Sequence, residues 1–144
     1  MITTKGVYHL GIPVNDVERA VKFYTEILGM TIAKLNRDDM GDHLNRADLR
    51  SGDSMVVLFQ RPEPIEKDAV KEDGATHQAF TVSPEDFELA EKKMKDWGVK
   101  VYSIPTVERS TGRGFYFFDP DGNLLQLYAP PKNNSVSSVN AETL

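Results

Sequence analysis

The sequence predicts an α+β fold of two βαβββ modules, their strands forming a curved mixed sheet around a central pocket. Three observations lead there. The chain repeats itself at a spacing of 68 residues, a capped amphipathic helix follows the first strand of each copy, and each copy finishes with an apolar strand that stops at a proline.

The first copy opens on Tyr8-His9-Leu10-Gly11-Ile12-Pro13-Val14 and the second on Thr76-His77-Gln78-Ala79-Phe80-Thr81-Val82, so that histidine overlies histidine and valine overlies valine. Both read as short strands. A helix start follows each: Asn15 with Glu18 three residues on, and Ser83 with Asp86 three residues on, helped by Pro84 at the first helical position. Val17, Ala20, Val21, Tyr24, Ile27 and Leu28 fall on one helical face, as do Phe87, Ala90, Met94 and Trp97 in the second copy. Each stripe ends at a glycine suited to a left-handed C-terminal position, Gly29 and Gly98. Strands are expected next over 30–37 and 44–50, and over 99–103 and 113–118. The last strand of each copy runs into Pro62 and Pro130, again 68 residues apart. A unit of this size cannot bury its sheet alone, so two copies must pack with helices over one face while the other face curls around something. The expected organisation is one domain over 1–144, built from module 6–62 and module 75–131, with linker 63–74 and a frayed tail at 132–144.

A chain of 144 residues is too short for two independent domains. Seventeen Lys and Arg against 22 Asp and Glu give a net charge of −5 with no basic run, which argues against nucleic acid and against an anionic membrane as partners. Cysteine is absent, removing disulfide scaffolds, thiolate zinc sites and cysteine nucleophiles together. No signal-peptide pattern opens the sequence and no apolar run approaches the ~18 residues of a membrane span, so the expected location is the cytoplasm.

Chemistry must therefore come from imidazole, carboxylate, amide or hydroxyl groups, or from a bound cofactor. There are three histidines, and the repeat sets His9 and His77 at equivalent points on equivalent strands. Strand alternation puts His9 with Val7 and Gly11, and His77 with Ala79, on faces lined by small neighbours, which points to a divalent metal site. The repeat places further ligands on the last strand of each unit, at Leu58 and Gln126. Leucine cannot ligate; glutamine can, through its amide oxygen, as a neutral and weaker donor than a carboxylate. Tyr116, within Phe115-Tyr116-Phe117-Phe118, is either a site residue or core, and His43 is a candidate for substrate binding or proton transfer. Arg109 and Arg113 flank a glycine-containing loop and are candidates to meet an anionic substrate. Asp119-Pro120-Asp121-Gly122 reads as a turn.

The combination of HLGIPVNDVERAVKFYTEILGM, HQAFTV and YFFDPDGNLLQLYAP, in that order, resembles the vicinal oxygen chelate superfamily of glyoxalases, bleomycin-resistance proteins and extradiol dioxygenases. The resemblance implies that His9, His77 and Gln126 hold the metal, Gln126 standing where most metal-dependent members have glutamate and Leu58 where glyoxalase I has its other one. It implies Tyr116 as a tyrosine beside the substrate oxygen. The dioxygenase signature's upstream histidine is missing from Val107-Glu-Arg-Ser-Thr-Gly-Arg-Gly114. The expected function is a metal-dependent enzyme, dioxygenase-like or a lyase or isomerase, holding a small oxygen-bearing substrate, aromatic ones included, on Fe, Mn, Ni or Zn. The alternative is a metal-free drug- or antibiotic-binding resistance protein of the same fold. A homodimer is expected, with modules paired within a chain or exchanged between chains.

Overall fold

The computed structural model describes residues 1–61, 75–101 and 107–131, the side chains of Val107 and Glu108 excepted. The expected linker and tail lie outside these residues. In chain order the elements are β1 (His9–Val14), α1 (Val17–Glu26), β2 (Thr31–Arg37), β3 (Leu44–Ser51), β4 (Ser54–Gln60), β5 (Gln78–Thr81), α2 (Pro84–Asp96), β6 (Val107–Arg109), β7 (Gly112–Phe118) and β8 (Leu124–Ala129). The order strand, helix, three strands occurs twice, as the repeat predicts.

The chain divides into two compact units, 1–77 with 118–124, and 78–117 with 125–144. The turn 118–124 thus belongs with the first unit, although the repeat assigns it to the second copy. In the first unit the strand order is β1-β4-β3-β2, with β1 parallel to β4 and the other neighbours antiparallel. In the second it is β5-β8-β7-β6, with β5 parallel to β8. The same arrangement therefore arises twice, because a helical crossover returns the chain parallel to its first strand.

Helix α1 begins one residue later than the sequence suggests: Asp16, rather than Asn15, is the N-cap, and its carboxylate accepts from the Arg19 N–H at 3.0 Å. Ser83 caps α2 as expected, accepting from the Asp86 N–H at 3.0 Å, with Pro84 in the first turn. Gly98, at φ +75°, closes α2: its N–H and that of Val99 reach back to the carbonyls of Lys95 and Met94. Trp97 departs from the expected stripe and is 53% exposed. It is the C-cap, where the helix has ended and its periodicity no longer governs which way a side chain faces.

Val17, Ala20 and Tyr24 of α1 bury against Ile12, Val14, Ala47, Leu49, Val56 and Leu58 of the first sheet. In the second unit Phe87 and Met94 of α2 are buried together with Phe80, Phe115, Phe117, Leu125 and Leu127, and the Phe87 and Phe115 rings lie 5.5 Å apart. Each buried Val, Ile, Leu, Met or Phe side chain among them contributes about 1.5–3 kcal/mol of apolar burial. Of the expected strand 99–103, the described residues keep only a bridge from Val101 to Phe117, while a strand appears at Val107–Arg109 where a loop was expected. Pairing explains it: Val107 lies opposite Gly114 and Arg109 opposite Gly112, so the short segment takes its conformation from β7.

Candidate functional site

His9 opens β1, exposed, with the Tyr8 ring edge-on at 5.5 Å. In parallel pairing, partners share a face, and His9, Gly11 and Pro13 lie opposite Met55, Val57 and Phe59. Ile12 and Leu58 are also partners, on the other face, where both are fully buried towards α1. Leu58 is therefore a core residue and not the counterpart of Gln126. In the second unit Gln126 pairs with Ala79, which the repeat equates with Gly11, and Gly11 pairs with Val57. Val57 is the true counterpart, and the last strands are offset by one residue more than their terminal prolines suggest. The position remains apolar, so the first module supplies no carboxylate there.

Gln126 is 7% exposed. Its side chain lies over Gly114 of β7, where an added Cβ would collide with the amide Nε2 and would also come within 2.9 Å of the Tyr128 ring. The absence of a side chain at Gly114 is what makes room for the amide. Tyr116, two residues along β7 and so of the same parity, is 3% exposed. The opposite parity faces α2: Phe115 stacks near Phe87, and the Arg113 guanidinium lies 4.9 Å over the Phe87 ring while donating to Glu88 at 3.0 Å. Arg113 is thus engaged with α2, on the side of β7 away from Gln126, and is not placed to meet a substrate there. Arg109 ends β6 and is exposed.

His77 is the last residue before β5, with the parity of Ala79. Its Nδ1 lies 2.7 Å from the Ala75 carbonyl oxygen. A carbonyl can only accept, so Nδ1 carries a proton in this contact. A backbone acceptor of this kind commonly orients a metal-ligating histidine. His43 sits at the exposed end of the β2–β3 connection, its carbonyl accepting from the Asp38 N–H at 2.9 Å. His9 and His77 belong to the first unit, and Gln126 and Tyr116 to the second.

Two imidazoles and an amide fit a divalent ion chemically, and they supply no negative charge to compensate it. Among the described residues no three His, Cys, Asp or Glu side chains gather as a metal cluster. Within its own unit, His77 is oriented through its ring nitrogen and Gln126 is seated over Gly114.

Sequence reasoning treated 119–122 as a turn and missed its side chains. Asp119, 4% exposed, accepts from the Tyr24 hydroxyl at 2.9 Å, from Asn123 Nδ2 at 2.7 Å, and from the N–H groups of Asp121 and Asn123 at 2.9 and 2.8 Å. Asn123 also donates to the Pro13 carbonyl at 3.0 Å. Asp121 Oδ1 takes the Arg19 guanidinium at 2.6 Å and the Asn15 N–H at 3.2 Å, while its buried Oδ2 has no partner among the described residues. The turn is therefore fastened to β1 and to the start of α1. The signal for it was a tyrosine in the buried stripe of α1, which needs a partner for its hydroxyl.

Burial pushes the Asp119 carboxyl above its usual range, against the pull of its donors, and burial beside Asp119 holds the Tyr24 hydroxyl protonated. A carboxyl raised on folding contributes its stability fully below the ordinary carboxylate range and loses that contribution as pH rises through the folded pKa. Asp119→Asn removes the titration. The native protein should therefore gain on the variant, in urea midpoint, between about pH 7 and about pH 4.

Residues 6–127 match the family model described as the Glyoxalase/Bleomycin resistance protein/Dioxygenase superfamily. The chain is 36% identical over 124 residues to glutathione transferase FosA of Serratia marcescens, covering 86% of this chain and 80% of that protein. It is 34% identical over 128 residues to the uncharacterised protein YwkD of Bacillus subtilis, covering 86% and 96%. A mutant of the fosfomycin resistance protein FosX from Listeria monocytogenes, complexed with Mn(II) and 1S,2S-dihydroxypropylphosphonic acid, superposes with a TM-score of 0.71 at 20% identity over 90% of this chain and 96% of that one, a likeness of fold. No helix among the described residues is long and apolar enough to cross a membrane. With the family model spanning both modules and the relatives spanning most of the chain, this protein belongs to the Glyoxalase/Bleomycin resistance protein/Dioxygenase superfamily.

Proposed function

We propose that the protein is a metal-dependent enzyme that adds a thiol or water to a small oxygen-bearing electrophile, with His9, His77 and Gln126 as ligands of a divalent ion. The observation that carries the reading is His77, whose ring is oriented by the contact of Nδ1 with the Ala75 carbonyl oxygen, as metal-ligating histidines commonly are. The kinship to a glutathione transferase supports transfer chemistry over the ring cleavage or lyase chemistry expected from sequence. A bound divalent ion would act as a Lewis acid on the substrate oxygens. Tyr116 would hydrogen-bond a substrate oxygen beside Gln126, and His43 would move a proton. The enzyme would act as a homodimer.

Titration of metal-free, untagged protein with Mn(II), followed by electron paramagnetic resonance of the free ion, tests the reading. Saturable binding with a rise in melting temperature is expected. Gly114→Ala should weaken that binding about tenfold by dislodging the Gln126 amide, at a stability cost of about 1–3 kcal/mol, because the added methyl meets the Tyr128 ring as well as the amide.

A second reading, a metal-free small-molecule binding or resistance protein, is favoured by the neutral Gln126 and the apolar Val57. No Mn(II) binding, with none for Fe(II), Ni(II) or Zn(II), would establish it over the first.

A further inference from the structure

On the face of the first sheet that turns away from α1, the strand registers set side chains in rows. His9, Met55 and Arg50 are successive partners across β1, β4 and β3; Gly11, Val57 and Asp48 form the next row, and Pro13, Phe59 and Arg46 the third. Their shared face follows from the alternation of β3, where Ala47 and Leu49 are fully buried on the other side. The cations of this face differ in how they are engaged. Arg46 donates to both carboxylate oxygens of Asp48, at 2.8 and 3.4 Å. Arg50 is exposed, and its guanidinium has no hydrogen-bond or ion-pair partner among the described residues.

Two inter-strand spacings, about 10 Å, separate the His9 and Arg50 backbones. The floor between them is Met55, with Gly11 adding no side chain beside His9. An imidazole at one end, an unengaged guanidinium at the other and an apolar floor between suit a small molecule whose oxygens lie at the histidine and whose negative charge lies at the arginine.

We propose that Arg50 is the specificity-determining residue of this protein's site, binding the anionic head of the substrate, a phosphonate, phosphate or carboxylate, through its two-pronged guanidinium. The proposal rests on the reading of His9 as a site residue. It deepens that reading by fixing the substrate as a small acid.

The test uses methylphosphonate as probe, titrated calorimetrically into the full chain with and without Mn(II). Arg50→Ala should weaken methylphosphonate binding about 10–100-fold, the loss of a charge-assisted pair. Arg50→Lys should retain an intermediate affinity, and Arg46→Ala and Lys34→Ala, the latter an exposed cation of β2 opposite Asp48, should bind it as the native protein does. The Mn(II) affinity and urea midpoint of Arg50→Ala should be native. Native-like methylphosphonate binding by Arg50→Ala would overturn the proposal. So would an equal loss in Lys34→Ala, which would mark a general field effect, or no binding by the native protein in either state. Failure to bind Mn(II) would instead remove the proposed enzyme function, while the metal-free titration would still read Arg50.

Discussion

Asp119→Ala is expected to destabilise the protein by about 3–5 kcal/mol, the range for leaving buried polar partners without their acceptor. One carboxylate receives four hydrogen bonds, and all four donors lose their acceptor when it goes. The Tyr24 hydroxyl is the most exposed to this loss in energetic terms, since its residue is completely buried and water cannot replace Asp119 without opening the packing around α1. Tyr24→Phe removes one donor and leaves the carboxylate three, so about 1–2 kcal/mol is expected for it alone. The double variant Tyr24→Phe/Asp119→Ala should be less destabilised than the sum of the singles, because the phenylalanine no longer carries an orphaned hydroxyl. Urea unfolding followed by tyrosine fluorescence and circular dichroism measures all three. A loss below about 1 kcal/mol for Asp119→Ala would show that the turn is held by its backbone alone.

The part of the fold that was legible in the sequence is the part fixed by local rules. Ser83 and Pro84 start α2, Gly98 stops it at positive φ, and the spacing of Val17, Ala20 and Tyr24 buries one face of α1. What was not legible depends on pairing between distant strands. Whether Val57 or Leu58 answers to Gln126 is decided by which of them lies opposite Gly11, and a slip of one residue exchanges a position on the face away from α1 for a core position under it. The terminal prolines gave the wrong register because they mark where the strands end and not how they pair. Arg113 shows the same limit: its nearness to a loop was visible, but its commitment to Phe87 and Glu88 follows from β7 packing its odd-numbered residues on α2. The histidine pair could be found because a repeat compares like with like. The network around Asp119 had no counterpart in the first copy to compare it with.

Gln126→Glu is expected to tighten Mn(II) binding about 10–100-fold if the side chain is a ligand, since a carboxylate offers a full negative charge where the amide offers only a dipole. The replacement is nearly isosteric, and the space over Gly114 that admits Nε2 admits a carboxylate oxygen equally well, so the comparison isolates charge. The same change should act in the opposite direction on the metal-free protein. At 7% exposure, a carboxylate at this position without a cation costs desolvation energy, and the metal-free variant should melt below the native protein. Hundredfold tighter binding at a fixed excess of Mn(II) adds about 2.7 kcal/mol by mass action, enough to bring the loaded variant above the loaded native protein. A side chain that merely packs would lower both melting temperatures together. The crossing of the two curves, down without metal and up with it, therefore distinguishes a ligand from a buried neighbour, and a charge gained over Gly114 without that crossing would return Gln126 to the core.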